Sequence, residues 1–405
     1  MQSYPVITLS AGRGKSVLRH HPWIFSKALA QTPNLPSGSQ VCVRSADGQF
    51  LGYGIYSAKS QIKVRLLSFK ENAPIDDALI ASRVIHACKA RDSLRAQGND
   101  GVRLIAAEGD FLPGVIVDLY NNFLVIAISS WAGEAIYDSL IATLKKIFPT
   151  HAIYERSDGK ARQKEGLKPR TGVIAGNTPE DIIYVKENDL IYLPIDIKNG
   201  HKTGGYLDQR DSRAALLPLA KGARVLNCFA YTGGFGLYAL KGRARRVENI
   251  DVSALALKHA KEGTAFNHLD PGHARFIQED VFAYLRAQVA AKEKYDVVVL
   301  DPPKFAESAA NLKKACRGYQ DINRLGFELL REGGQLLTFS CSGLMDSALF
   351  QKICADAALE AGVDAQVVRT FRQAADHRVA LPCPESFYLK GLQIQVCSGG
   401  YHADH

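Results

Sequence analysis

From about Gly200 onward the chain alternates apolar, β-rich runs with helical stretches, a pattern that commits it to a doubly wound sheet. The runs predict strands at Arg224–Phe229, Arg246–Ile250, Arg275–Gln278, Val297–Leu300, Leu336–Phe339, Gln366–Phe371 and Phe387–Val396. The last two follow one another without a helix, which predicts an antiparallel pair at one edge. Two others end in Asp301-Pro302-Pro303-Lys304-Phe305 and Thr338-Phe339-Ser340-Cys341-Ser342-Gly343, with a helical stretch between them. Ligands of such sheets bind at the carboxyl ends of the strands, so both loops are expected to share one crevice. Into it they bring a carboxylate, Asp301, and a thiol, Cys341.

The first strand runs into Ala230-Tyr231-Thr232-Gly233-Gly234-Phe235-Gly236 and then a helix. Glycines permit a tight turn and a close approach to a ligand, but this spacing is not Gly-x-Gly-x-x-Gly and argues against a dinucleotide. Asp251, at the end of the second strand, stands where an acid accepts hydrogen bonds from ribose hydroxyls. Asp280, after the third, is placed either to meet an adenine amine or to cap its helix. Ribose and adenine contacts without a pyrophosphate site favour S-adenosylmethionine.

The remainder of the chain falls into two further parts. Residues up to about 70 read as short strands, with Asp47-Gly48 as a hairpin signal. The first twenty-seven positions interleave Arg13, Lys15, Arg19, His20, His21 and Lys27 with Trp23 and Phe25, either an RNA-contacting surface or a solvated edge with core aromatics. From Ala73 a small α/β unit follows. Within it residues 157–172 carry five basic side chains against two acids, a polar stretch that reads as either a phosphate-contacting arm or, in preference, a mobile solvated loop. Lysine and arginine exceed aspartate and glutamate by 50 − 41, which gives +9 and suits a polyanionic partner. Eight cysteines without a Cys-x-x-Cys pair predict neither zinc nor disulfides, and no metal is expected. No apolar run reaches the ~20 residues a membrane span needs and no signal segment opens the chain, so a cytoplasmic protein is expected.

Leu226 to Gly236, Asp301 to Phe305, Thr338 to Gly343 and the upstream Gly200 to Arg213 together resemble the ribosomal large-subunit methyltransferase I family. His21-Pro22-Trp23-Ile24-Phe25-Ser26 and Glu108 to Gly114 resemble further family stretches, so the likeness spans essentially the whole chain. It implies an α/β protein of three domains: a PUA-like RNA-binding β-barrel at 1–72, a central α/β domain at 73–195, and a Rossmann-like class I methyltransferase domain at 196–405 with a seven-stranded sheet. It further implies methyl transfer from S-adenosylmethionine to C5 of a cytosine in 23S ribosomal RNA. Cys341 becomes the nucleophile that adds to C6, Lys304 a source of positive charge for it, and Asp301 the partner of the N3 and amino edge. Cofactor contacts are implied at Asn227, Phe229, Tyr231, Thr232, Gly233 and Gly234. Asp251, Asp280 and Asp301 complete that set. Phe305 is either a platform for a flipped base or core, and Cys228 is structural. A homodimer stays open. Two rivals remain: a methylase of an exocyclic amine, which would leave Cys341 idle, and a noncatalytic RNA-binding factor that keeps a relic cofactor fold.

Overall fold

The computed structural model describes residues 4–305 and 309–397; the outermost positions of the expected first and last domains lie outside this range. Spatial contacts divide the chain into two units. One comprises residues up to 183 with 196–207 and 375–386, and the other 184–195, 208–374 and the chain from 387 on.

In the first unit, strands Val6–Thr8, Trp23–Phe25, Gln40–Arg44, Phe50–Tyr56 and Ile62–Ser68 form one five-stranded sheet. Its core holds Leu9, Ile24, Val41, Val43, Val64 and Leu66. A second five-stranded sheet runs in chain order through Gly101–Ala106, Val115–Tyr120, Phe123–Ile128, Ala152–Ser157 and Arg170–Ala175. Buried ion pairs brace this unit: Arg91 grips Asp110 through two bonds of 2.6 and 2.7 Å, and Arg103 grips Asp118 through two of 2.8 Å.

The stretch 157–172 departs from its expected form. Lys160–Lys164 is a short helix and Arg170 opens a strand. Arg162 and Arg170 both bond Glu134, and Glu165 is buried against Arg65 at 2.9 Å. Counting charges within the segment missed acids supplied by distant positions, which satisfy Arg162 and Arg170 and let the segment pack, while Lys164 and Lys168 stay exposed.

The second unit is built on a seven-stranded sheet. Its strands are β1 (Arg224–Cys228), β2 (Arg246–Asp251), β3 (Ala274–Gln278), β4 (Tyr295–Leu300), β5 (Leu330–Ser340), β6 (Ala365–Arg372) and β7 (Lys390–Val396). Their order across the sheet is β3-β2-β1-β4-β5-β7-β6. Strands β1 to β5 are parallel, and β7 runs antiparallel to both β5 and β6, the expected edge pair. Strand periodicity sorts the core onto two faces. Val297 and Val299 join Leu337 and Phe339 on one, while Val298 and Leu300 join Leu336 and the helix Leu312–Glu328 on the other. Because both faces are covered, β4 reads as a continuous apolar run rather than an alternating one.

One buried acid ties the amino ends of these strands together. Glu248 on β2 accepts hydrogen bonds from the hydroxyls of Tyr295 at 2.7 Å and Tyr284 at 2.8 Å, and it pairs with Arg224 and Arg246. Burial alone pushes its carboxyl up, but the two hydroxyls and Arg224 reverse this and hold it below the ordinary glutamate range. A carboxyl whose folded pKa lies below its unfolded value, ~4.3, stabilises fully above that pH and loses its contribution as pH falls through the folded value. On acidification from pH 6 to pH 3, Glu248→Gln should therefore lose less of its thermal midpoint than the parent chain. Equal losses in the two proteins would remove Glu248 from the acid response.

Candidate active site

The sheet changes winding direction between β1 and β4, since β2 and β3 lie to one side of β1 and β4 and β5 to the other. A crevice for a ligand opens at such a switch point, outside the carboxyl ends of the strands. The loop after β1 is set by backbone conformation. Phe229, Tyr231 and Gly233 all have positive φ, at 56°, 49° and 80°. Non-glycine residues rarely adopt this region, and such strain collects where a ligand fixes the backbone. Gly233 caps the helix Gly234–Lys241. A Cβ there would stand 2.8 Å from the Cβ of Ala260, so the turn admits only glycine.

The expected cofactor residues fall into two groups. Tyr231, Thr232, Gly233 and Gly234 form the loop itself, with Phe229 half-buried beside it. Asp251 holds the loop from below: its Oδ2 accepts from the Tyr231 amide at 2.8 Å and its Oδ1 from the Ser253 amide at 2.9 Å. Asp280 is the N-cap of the helix Val281–Ala290, where its Oδ1 accepts from the Ala283 amide at 2.9 Å. Asn227 is buried inside the sheet, and its amide donates to Asn249 Oδ1 at 2.9 Å on the neighbouring strand. Its side chain is thus committed to the sheet interior.

Asp301 follows β4 and Cys341 follows β5, and Leu300 pairs with Thr338 across these neighbours. Both side chains are half-buried. All eight cysteines are thiols rather than disulfides. Burial pushes Cys88, Cys354 and Cys383 up to about 12, raises Cys42, and carries Cys228 higher still, so these five stay protonated. Of the three half-buried cysteines, Cys316 lies within the helix Leu312–Glu328 and Cys397 beyond β7. Cys341 alone among them follows the carboxyl end of a parallel strand.

The two loops are linked by Tyr319. Its hydroxyl accepts from Ser340 Oγ at 3.1 Å, and its ring lies 4.7 Å from that of Phe305. Phe305, half-buried, packs against Tyr319 and Gly318 at the edge of the core. Sequence reasoning missed Lys390, the first residue of β7. It pairs with Ser340 across the sheet, is only 5% exposed, and donates to the carbonyls of Ser342 and, at 2.7 Å, Tyr388. A lone charge in the apolar run Leu389 to Val396 was the available signal.

S-adenosylmethionine offers hydroxyls, amines and a sulfonium cation, and it has no phosphate. The carboxylates of Asp251, Asp280 and Asp301, which end or follow β2, β3 and β4, match that donor set and would repel a pyrophosphate.

In the first unit, the basic and aromatic amino-terminal stretch is partly committed to structure. Trp23 Nε1 donates to Glu108 at 2.9 Å, whereas Phe25 is 45% exposed. His20 stacks on Phe69 with ring centres 4.6 Å apart, beside a cavity of about 220 Å³ that Arg83 and Phe111 also line. His21, Cys383 and Glu385 cluster as metal ligands can. The Trp23 amide donates to His21 Nδ1, which leaves the ring proton on Nε2 to be given to Glu385 at 3.1 Å. The Cys383 thiol also donates to Glu385. The three form a hydrogen-bonded network whose protons a cation would have to displace. Among the described residues no helix is long and apolar enough to cross a membrane.

Comparison with known proteins agrees with this geometry. Residues 7–69 match the family described as PUA-like domain, and residues 143–366 match S-adenosylmethionine-dependent methyltransferase. The ribosomal RNA large subunit methyltransferase I of Aeromonas hydrophila is 50% identical over 392 residues, covering 96% of this chain and 99% of that protein. Its counterpart from Vibrio vulnificus is 49% identical over 394 residues, again 96% and 99%. A solved putative methyltransferase from Streptococcus mutans covers 97% of this chain and 100% of its own, with a TM-score of 0.84 at 23% identity, and so shares the fold. Another, with a TM-score of 0.85 at the same identity and coverage, was solved in complex with SAH.

Proposed function

The chain belongs to the ribosomal RNA large subunit methyltransferase I family and depends on S-adenosylmethionine, and from this premise we propose that it methylates C5 of a cytosine in 23S ribosomal RNA through a covalent adduct of Cys341. The observation that supports this reading is the placement of a half-buried thiol and a half-buried carboxylate after neighbouring parallel strands.

Cytosine C5 is a poor nucleophile until C6 is saturated. The Cys341 thiolate forms a bond to C6, and the C5–C6 electron pair is released toward C5 and the N3 edge. Asp301 faces that edge and favours the uptake of a solvent proton at N3 as the adduct forms, a proton that returns to solvent when the ring is restored. When bound, S-adenosylmethionine supplies the electrophilic methyl group. The alkylated ring then loses its C5 proton to solvent and expels the thiolate. Asp251, the loop 231–234 and Asp280 would hold the cofactor, while the Asn227 amide is spent beneath them. The barrel at 1–72 and its basic residues serve the RNA, with 73–195 and 196–405 as the other two domains and the cytoplasm as the place of action.

Ribosomal RNA from cells lacking the gene tests the substrate. Mass spectrometry should show one 5-methylcytidine missing from 23S RNA and restored by the intact gene. Loss of a methyl from an exocyclic amine instead would establish the rival chemistry.

Asp251→Ala tests the cofactor half separately. It strands the part-buried Tyr231 amide of the loop, at a cost of ~1–3 kcal/mol, so affinity for S-adenosylmethionine should fall about 10- to 100-fold by calorimetry. Unchanged affinity would detach the loop from the cofactor.

A further inference from the structure

We propose that Lys390 is a positioning residue for Cys341: held by the carbonyls of Ser342 and Tyr388, its side-chain nitrogen takes the proton from the Cys341 thiol and keeps the thiolate paired until it attacks. The inference rests on the reading of Cys341 as nucleophile. The step is a proton transfer: the S–H bond breaks, an N–H bond forms, and nothing is oxidised. When the ring later expels the thiolate it returns to the same ammonium, so the pair is ready for another turnover.

Three observations carry this. Lys390 faces Ser340, the residue before Cys341, across the β5–β7 pairing, and it grips the carbonyl of Ser342, the residue after. Its nitrogen therefore reaches the backbone that presents the thiol. Secondly, lysine is almost never this buried without an anion. Its hydrogen bonds go to two neutral carbonyls, and among the described residues no carboxylate lies within ion-pair distance of it. An ammonium has three donors, so two carbonyls leave one for a thiolate. Thirdly, burial drives the Lys390 amine down to about 8, near the ordinary thiol value of ~8.5, so transfer between them costs little.

The surrounding charges fit the same arrangement. Cys341 and Asp346 favour the ammonium, and Lys304, on the loop after β4, opposes it. Asp346 already caps the helix Ser347–Glu360 through the Leu349 amide. Tyr319 feels both Cys341 and Asp301, and its hydroxyl stays protonated, pushed up to about 12 chiefly by burial. Arg372 stands opposite Lys390 on β6, exposed and directed over the Phe387 ring.

A lysine that merely pinned the loop would act through its hydrogen bonds, and one that steadies a thiolate acts through charge. Lys390→Gln keeps an amide donor for the carbonyls without charge, and Lys390→Met keeps neither. The measurement is the rate of Cys341 alkylation by iodoacetamide against pH, in the full-length protein without RNA. It is read by mass spectrometry of the peptide that carries Cys341, which separates it from Cys316 and Cys397. Both variants should move the midpoint to higher pH, slowing alkylation at pH 7 about tenfold for each unit moved. Any other pattern overturns the proposal, including a change in Lys390→Met alone, which would mark a structural pin. Calorimetry with S-adenosylmethionine verifies that each variant is folded. Methylation that survives Cys341→Ala would instead sink the nucleophile reading, whatever the alkylation profiles show.

Discussion

Cys341→Ala should abolish methylation of the RNA and leave binding of S-adenosylmethionine intact. The loss should be at least about 10⁴-fold, since removing an enzyme's nucleophile costs that much or more. The reason is chemical before it is structural. Without a sulfur bonded to C6, C5 carries too little electron density to attack a sulfonium methyl. Among the described residues after these strands no other group substitutes: Asp301 is a weak nucleophile, and Cys228 on β1 is fully buried with its thiol held protonated. Cys316→Ser, at a half-buried helix position, should retain the parent rate. RNA carrying 5-fluorocytosine makes the sharper test, because a methylated adduct with fluorine at C5 has no proton to lose and cannot eliminate. It should accumulate as a protein–RNA complex resistant to denaturant, with its added mass on the Cys341 peptide. Full activity of Cys341→Ala without a trapped complex would shift the reaction to an exocyclic amine, and trapping on another residue would move the nucleophile there.

The residues that carry this prediction were legible because each sits in a short motif at the end of an apolar run, where strand periodicity places it at a sheet end. What surrounds them was legible only in part. Asp251 was located by its position after the second strand, yet its bonds to the Tyr231 and Ser253 amides depend on a turn with two non-glycine residues at positive φ, which no local propensity suggests. Asn227 stands within the cofactor motif, but strand alternation turns it into the sheet against Asn249. Lys390 lies 49 positions beyond Cys341 and comes beside its neighbours Ser340 and Ser342 only because β7 inserts antiparallel between β5 and β6. The basic run 157–172 failed for a related reason, since the acids that neutralise it, Glu134 and Glu155, precede it in the chain. Local pattern reveals elements and their ends; partners supplied by sheet order stay hidden until the order is known.

The ion pair of Glu187 and Arg213 follows the same logic and supports the second large prediction. Glu187 ends the strand Ile183–Glu187, and Arg213 lies in the helix Arg210–Leu216. Both are nearly inaccessible, and they meet through two bonds of 2.9 and 2.6 Å. Arg213 also underlies the cofactor loop, because a Cβ on Gly234 would stand 2.9 Å from its Cδ. Arg213→Met takes from the buried Glu187 its two-bond cation and leaves it with Arg210, 4.0 Å away, a defect worth up to ~3–5 kcal/mol. The thermal midpoint should drop by several degrees, and affinity for S-adenosylmethionine should weaken as the loop loses its support. Glu187→Leu in the same chain removes the stranded charge. Replacing both members of a buried pair by apolar groups is often neutral, but the buried Arg210 loses Glu187 as well, so the double variant should regain part of the lost stability. Losses that simply add would mean that the two side chains do not act as a pair, and that the loop rests on packing alone.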